Sequence, residues 1–149
     1  MIGYEMDVKA ISLSGYQVVT KKYFSRLTEP AMTLWKTSIS FNCATYEAFN
    51  NCEAVEIYVN EKSRSIIIKP SSTQQEDAVN WRKDAKQYKY NRIECSMFTY
   101  QLYSAWGLSK DRHYRASGRM VQCEKKLMML FDFSCPEIWE GSKLVKENG

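Results

Sequence analysis

At 149 residues with a formal net charge of +4, the chain has the size of one domain and a modest basic excess. A chain this long buries roughly 70% of the surface that its unfolded form exposes, so one real core is expected. An apolar fraction of 44% with six glycines and three prolines excludes a wholly disordered chain, and no apolar run approaches the roughly 20 residues of a membrane-spanning helix.

The N-terminal stretch carries Glu5 and Asp7 and lacks an apolar signal core, which predicts a cytoplasmic protein with no membrane partner. Residues 8–13 alternate apolar and polar as a half-buried strand does, and Gly15 breaks the pattern. Residues 17–24 read as a second extended piece, and Pro30 sets off a third over 31–36. These N-terminal strands occupy 1–38.

A first unit follows over 39–70. Ile39 to Asn42 reads as a short strand, and 44–51 as a helix whose Tyr46 and Phe49 share a face. Residues 54–59 and 65–69 form a hairpin about the turn residues 60–63. A basic connector spans 71–92. The same order then recurs over 93–134: a strand at 93–96, a longer helix at 98–106 ended by Gly107, an extended stretch at 114–122 and an apolar strand at 127–133. Residues 135–149 read as a tail. The fold class expected is α+β, one domain over 1–149, with a small β-barrel or sheet made from two tandem strand-helix-hairpin units. Alternation places Ile57, Val59, Ile66, Ile68, Leu102, Leu127, Met129 and Phe131 in the core.

Two dipeptides mark the repeat: Thr45-Tyr46 matches Thr99-Tyr100 at an offset of 54, and Glu61-Lys62 matches Glu124-Lys125 at an offset of 63. One helix and one hairpin cannot close a core alone, so two halves must cover each other. Strand, helix and hairpin in tandem resembles the swapped-hairpin barrels of the AbrB and MazE type, where two copies normally interlock as a dimer, and the resemblance implies DNA binding. The runs at 12–19, 50–55 and 93–98 look similar to small proteins carried by phages and integrative elements of gut Firmicutes, a pool that includes inhibitors of CRISPR nucleases.

Catalytic signatures are missing. No Gly-rich phosphate loop, GxSxG elbow or HExxH motif occurs. The single histidine, His113, sits in a basic strand-like run without an evident partner and reads as an exposed or edge-strand residue rather than a base. Asp132 reads as a carboxylate satisfied at a strand end. The expectation is no enzyme. Five cysteines without a CxxC pair read as free core thiols in a reducing compartment, which predicts no cofactor. A zinc site through Cys43, Cys52, Cys95 and Cys123 is the alternative that their distribution leaves open.

Charge is more informative. Residues 80–92 hold five cations against one acid, with Trp81, Tyr88 and Tyr90 interleaved, and 110–126 hold six cations against two acids. Aromatics among cations suit a protein interface or a nucleic acid. The partner-binding candidates are Trp81, Arg82, Lys83, Lys86 and Tyr88 in the connector and Arg112, Arg115 and Arg119 after the second helix. The leading functional expectation is a non-catalytic binding protein of a mobile element that inhibits a host CRISPR effector nuclease by docking on it. The alternative is an AbrB-like DNA-binding regulator.

Overall fold

The computed structural model describes residues 8–19, 29–82 and 92–146. In chain order the elements are β1 (Ala31–Leu34), β2 (Ser38–Phe41), α1 (Cys43–Ala48), β3 (Ala54–Asn60), β4 (Ser65–Ser71), β5 (Arg92–Glu94), α2 (Ser96–Ala105), β6 (His113–Cys123), β7 (Lys126–Asp132), β8 (Glu137–Glu140) and β9 (Lys143–Lys146). The mostly antiparallel sheet forms a curled half-barrel with few helices. Its strand order is β3-β4-β7-β6-β1-β2-β5, and β8 pairs with β6 and β9.

Strand β6 makes the curl. Its first half lies between β1 and β8, through Tyr114–Leu34 and Tyr114–Ile138, and its second half pairs with β7 from Gly118–Phe131 to Cys123–Lys126. Gly118 sits where the partners change. A Cβ there would lie 2.6 Å from Cε1 of Phe131 and 2.7 Å from Sδ of Met129, so only glycine lets β6 pass this close to β7. Three pairings join distant parts of the chain, β1 with β6 through Leu34–Tyr114, β2 with β5 through Ile39–Ile93 and β4 with β7 through Ile67–Leu130.

Polar side chains anchor the helices. Asn42 caps α1, its Oδ1 accepting from Thr45 N–H at 3.1 Å and Ala31 N–H at 3.0 Å. Buried Thr45 donates to the same oxygen at 2.8 Å and accepts from Ala31 N–H, which binds the start of β1 to the helix. At α2 the buried Thr99 hydroxyl donates to the Lys36 carbonyl at 2.9 Å, just beyond the other end of β1. Asn50 and Asn51 follow α1 at φ 53° and 55°, the left-handed conformation that asparagine tolerates better than most residues.

Three parts differ from the sequence reading. Residues 8–13 are exposed, and no described strand pairs with them; a turn closes at Gly15 with Tyr16 N–H on the Leu13 carbonyl at 2.9 Å. Residues 17–19 are likewise outside any strand, and the remainder of that predicted piece, 20–24, lies outside the described residues. The third N-terminal piece is β1. The stretch read as a tail is instead the β8–β9 hairpin about Gly141, at φ 58°.

Of the eight residues expected in the core, Ile66, Ile68, Leu102, Met129 and Phe131 are buried and Ile57 is half-buried against it. Val59 is 41% and Leu127 60% exposed. Both have the parity of their buried neighbours but sit next to the hairpin turns and are exposed; alternation reports the face and not how far the cover extends.

The centre of the core is Trp81, fully buried. Its ring packs at 4.3 Å from Tyr46, 5.1 Å from Phe41 and 6.5 Å from Phe49, and its indole N–H donates to the Cys52 carbonyl at 2.8 Å. Reciprocal backbone bonds between Val55 and Val79, at 3.0 and 2.8 Å, bring it there. Trp81→Ala is expected to lower the unfolding free energy by about 3–5 kcal/mol, against less than about 1 kcal/mol for Val59→Ala, measured by denaturant titration. A chain ending at Arg92 lacks one of the two partners of each of β1, β2 and β4 and should show no cooperative unfolding by circular dichroism.

Candidate functional site

Trp35, just after β1, His113 on β6 and Trp139 on β8 form a ladder of rings on the side of the sheet away from the core. Trp35 follows β1 and closes the turn to β2, its backbone N–H on the Ser38 carbonyl at 2.8 Å and its indole N–H on the Ser40 hydroxyl at 3.0 Å. The Arg92 guanidinium, at the start of β5, lies 3.5 Å over the Trp35 ring, a cation–π contact. His113 stacks on Trp35 at 4.0 Å, and Trp139, its partner in register on β8, lies 6.1 Å beyond at an interplanar angle of 11°. Arginine, indole, imidazole and indole thus run side by side across the sheet.

The arginines beside this ladder are matched by acids. Arg115 meets Glu137 at 3.3 Å, and the other oxygen of Glu137 accepts the Trp139 indole N–H at 3.1 Å. Arg112 meets Glu140 at 3.1 Å. Tyr103, on α2 beneath, donates its hydroxyl to the Arg112 carbonyl at 2.7 Å, and burial, with Tyr114 nearby, pushes its pKa up. Burial, and then the Arg92 charge, hold the His113 pKa below its usual value, so the ring at the centre of the ladder is neutral near pH 7.

These positions rearrange the predicted site. Trp81 is a core residue and not a surface anchor: its aromatic surface outweighs the surrounding cations and takes the indole inside. Arg82 is exposed beside it, with its guanidinium on the Asn51 carbonyl at 3.1 Å. Lys83, Lys86 and Tyr88 lie outside the described residues. Arg112 and Arg115 come together on the β8 side, while Arg119 is exposed further along β6. The connector residues Trp81 and Arg82 and the arginines of β6 are therefore held by different elements. His113 is half-buried on an interior strand instead of at an edge, because the unforeseen β8 covers that side of β6. Asp132 ends β7 as expected, its Oδ1 accepting from the Ser134 N–H and hydroxyl at 2.9 and 2.6 Å, which lowers its pKa.

No family model, curated protein or solved structure matches this chain. Its chemistry rests on its own geometry. All five cysteines are free; Cys43, Cys123 and Cys135 are exposed, Cys52 and Cys95 half-buried. Among the described residues no three His, Cys, Asp or Glu side chains gather as a metal site, so the four-cysteine zinc arrangement is not formed: its members lie on α1, before β3, at the start of α2 and at the tip of β6. Burial pushes the Cys95 pKa up to about 11, which keeps it a protonated thiol. No helix among the described residues is long and apolar enough to cross a membrane.

The residues that sequence reasoning missed are Trp35 and Trp139. Trp139 was within reach, because Glu137 to Glu140 and Lys143 to Lys146 flank a Gly-Ser turn as a hairpin requires.

The ladder yields a pH dependence with a definite sign. Unfolded histidine titrates near pH 6.5 and His113 titrates lower in the fold, so just below about pH 6.5 the unfolded chain binds the extra proton. Its contribution is complete above that pH and declines as pH falls towards the folded pKa. His113→Gln should flatten this part of the curve, read from denaturant midpoints between about pH 5 and 7.

Proposed function

We propose that the chain is a non-catalytic binding protein that docks the ladder face of its sheet on another protein, and that this partner is a host defence nuclease of the RNA-guided CRISPR type, which it inhibits. The observation that carries protein over nucleic acid is charge cancellation. Arg92, Arg112 and Arg115 share the region with Glu94, Glu137 and Glu140, three cations against three anions, and two of the pairs are in contact. A phosphate-binding surface offers uncompensated cations. Half-buried indoles flanked by arginines with matched acids instead resemble the anchors and polar rim of a protein interface. The choice of nuclease rests on the resemblance to mobile-element proteins, and the missing catalytic motifs favour a binding role.

The tandem-unit reading is also a proposal, and two numbers support it. If corresponding strands of two equivalent units pair antiparallel, the residues on the pseudo-twofold axis are separated by the repeat offset. Ile39 pairs with Ile93, 54 residues on, and Ile67 with Leu130, 63 residues on, the same two offsets as the repeated dipeptides. This arrangement is what gives the DNA-binding regulator its standing as a second reading.

Cleavage of a target duplex by Cas9-type effectors already loaded with guide RNA separates the two. Molar excess of the protein should slow cleavage by at least one sensitive effector, and Trp35→Ala with Trp139→Ala should weaken inhibition by about 30-fold or more, as loss of an anchor worth about 2 kcal/mol implies. No inhibition across effector types, combined with tight and steeply salt-dependent binding to free duplex DNA, would transfer the conclusion to the regulator.

A further inference from the structure

Helices α1 and α2 each end on a buried aromatic cap, Phe49 and Trp106. At α2 the arrangement is closed. Trp106 donates its indole N–H to the Glu61 carbonyl in the β3–β4 turn at 3.0 Å and stacks on Phe133 at 6.1 Å. At α1 it is open. Phe49 and the tip of the other hairpin, β6–β7, line a cleft of about 550 Å3, within the size range of ligand sites. Its apolar walls include Pro70, Met120 and Leu127, the last two 41% and 60% exposed. The cause of the difference is local. Helix α1 has six residues and α2 ten, and a phenyl ring is shorter than an indole and carries no N–H for a turn carbonyl.

We infer that this cleft receives an aromatic side chain from a partner peptide, with carboxylates beside it. The chain itself displays what fills such a gap, since an indole completes the corresponding place at α2. Charge selects the flanks. Lys69, Lys125 and Lys126 line the cleft and, among the described residues, no acid does; Lys69 is held by Glu56 at 3.5 Å, which leaves Lys125 and Lys126 at the hairpin tip as the cations for an acidic segment. The inference is independent of the ladder face and of the nuclease assignment, since it concerns different residues.

The probe is the peptide acetyl-Glu-Trp-Glu-amide, titrated into the full chain while the 13C-labelled Met120 methyl is followed by NMR. A saturable shift of that methyl is expected, with affinity at least tenfold above those of acetyl-Glu-Ala-Glu-amide and acetyl-Lys-Trp-Lys-amide. Phe49→Trp should close the cleft and abolish the shift. Lys126→Glu, an exposed change independent of how Phe49→Trp folds, should weaken the acidic peptide and strengthen the basic one. Equal binding of the alanine peptide, indifference to Lys126→Glu, or absence of a Met120 shift would overturn the inference. So would a concentration-dependent Met120 shift without peptide, accompanied by dimerisation in sedimentation, because the occupant would then be a second copy.

Discussion

The curled sheet is organised around one indole inserted from a connector. Trp81 reaches the centre because the chain just before it pairs with β3 through Val55 and Val79, and because a single acceptor, the Cys52 carbonyl, satisfies its N–H. Without that acceptor a buried indole N–H would cost about 1–3 kcal/mol. With it, the ring contacts Phe41, Tyr46 and Phe49 from β2, α1 and the α1 cap, so one side chain holds the connector, a helix and a strand together. Ring pairs of this kind add about 0.5–1.5 kcal/mol each beyond the area they bury.

The same residue explains where the sequence misled. Element order was legible from alternation, turn residues and helix ends because those signals are local, and β1 to β7 fall near their expected positions. Three features depend on what lies across space. Trp81 among five cations reads as a surface anchor until Tyr46 and Phe41 are seen to surround it. Val59 and Leu127 have the parity of core residues but sit beyond the helices. Residues 8–13 have strand patterning, yet no described strand pairs with them. The β8–β9 hairpin, by contrast, was overlooked although its turn signal was present. Its absence from the sequence reading hid the site as well, because Trp139 and both acids that neutralise the arginines come from β8. A count of cations along the chain cannot reveal acids brought beside them by a later hairpin.

That neutralisation changes what the basic stretch means. Six cations over 110–126 suggest a field for phosphates, but Arg112 and Arg115 spend their charge on Glu140 and Glu137. Partly exposed pairs like these contribute about 0–1 kcal/mol to stability, so their consequence lies in specificity. They fix the side chains next to the rings.

The long-range pairings also bear on how the protein is made. During synthesis β4 leaves the ribosome about 55 residues before β7, its partner, begins. At about 5–20 residues per second that interval is roughly 3–11 s, during which Ile66 and Ile68 have no cover from β7. β1 waits longer still for β6. A nascent chain of this design therefore spends seconds with an open strand edge, the state that chaperones recognise and that crowded polysomes turn into aggregates. The time taken to synthesise residues 72–126 would set how long that edge stays open, and with it how much of the chain reaches the folded state.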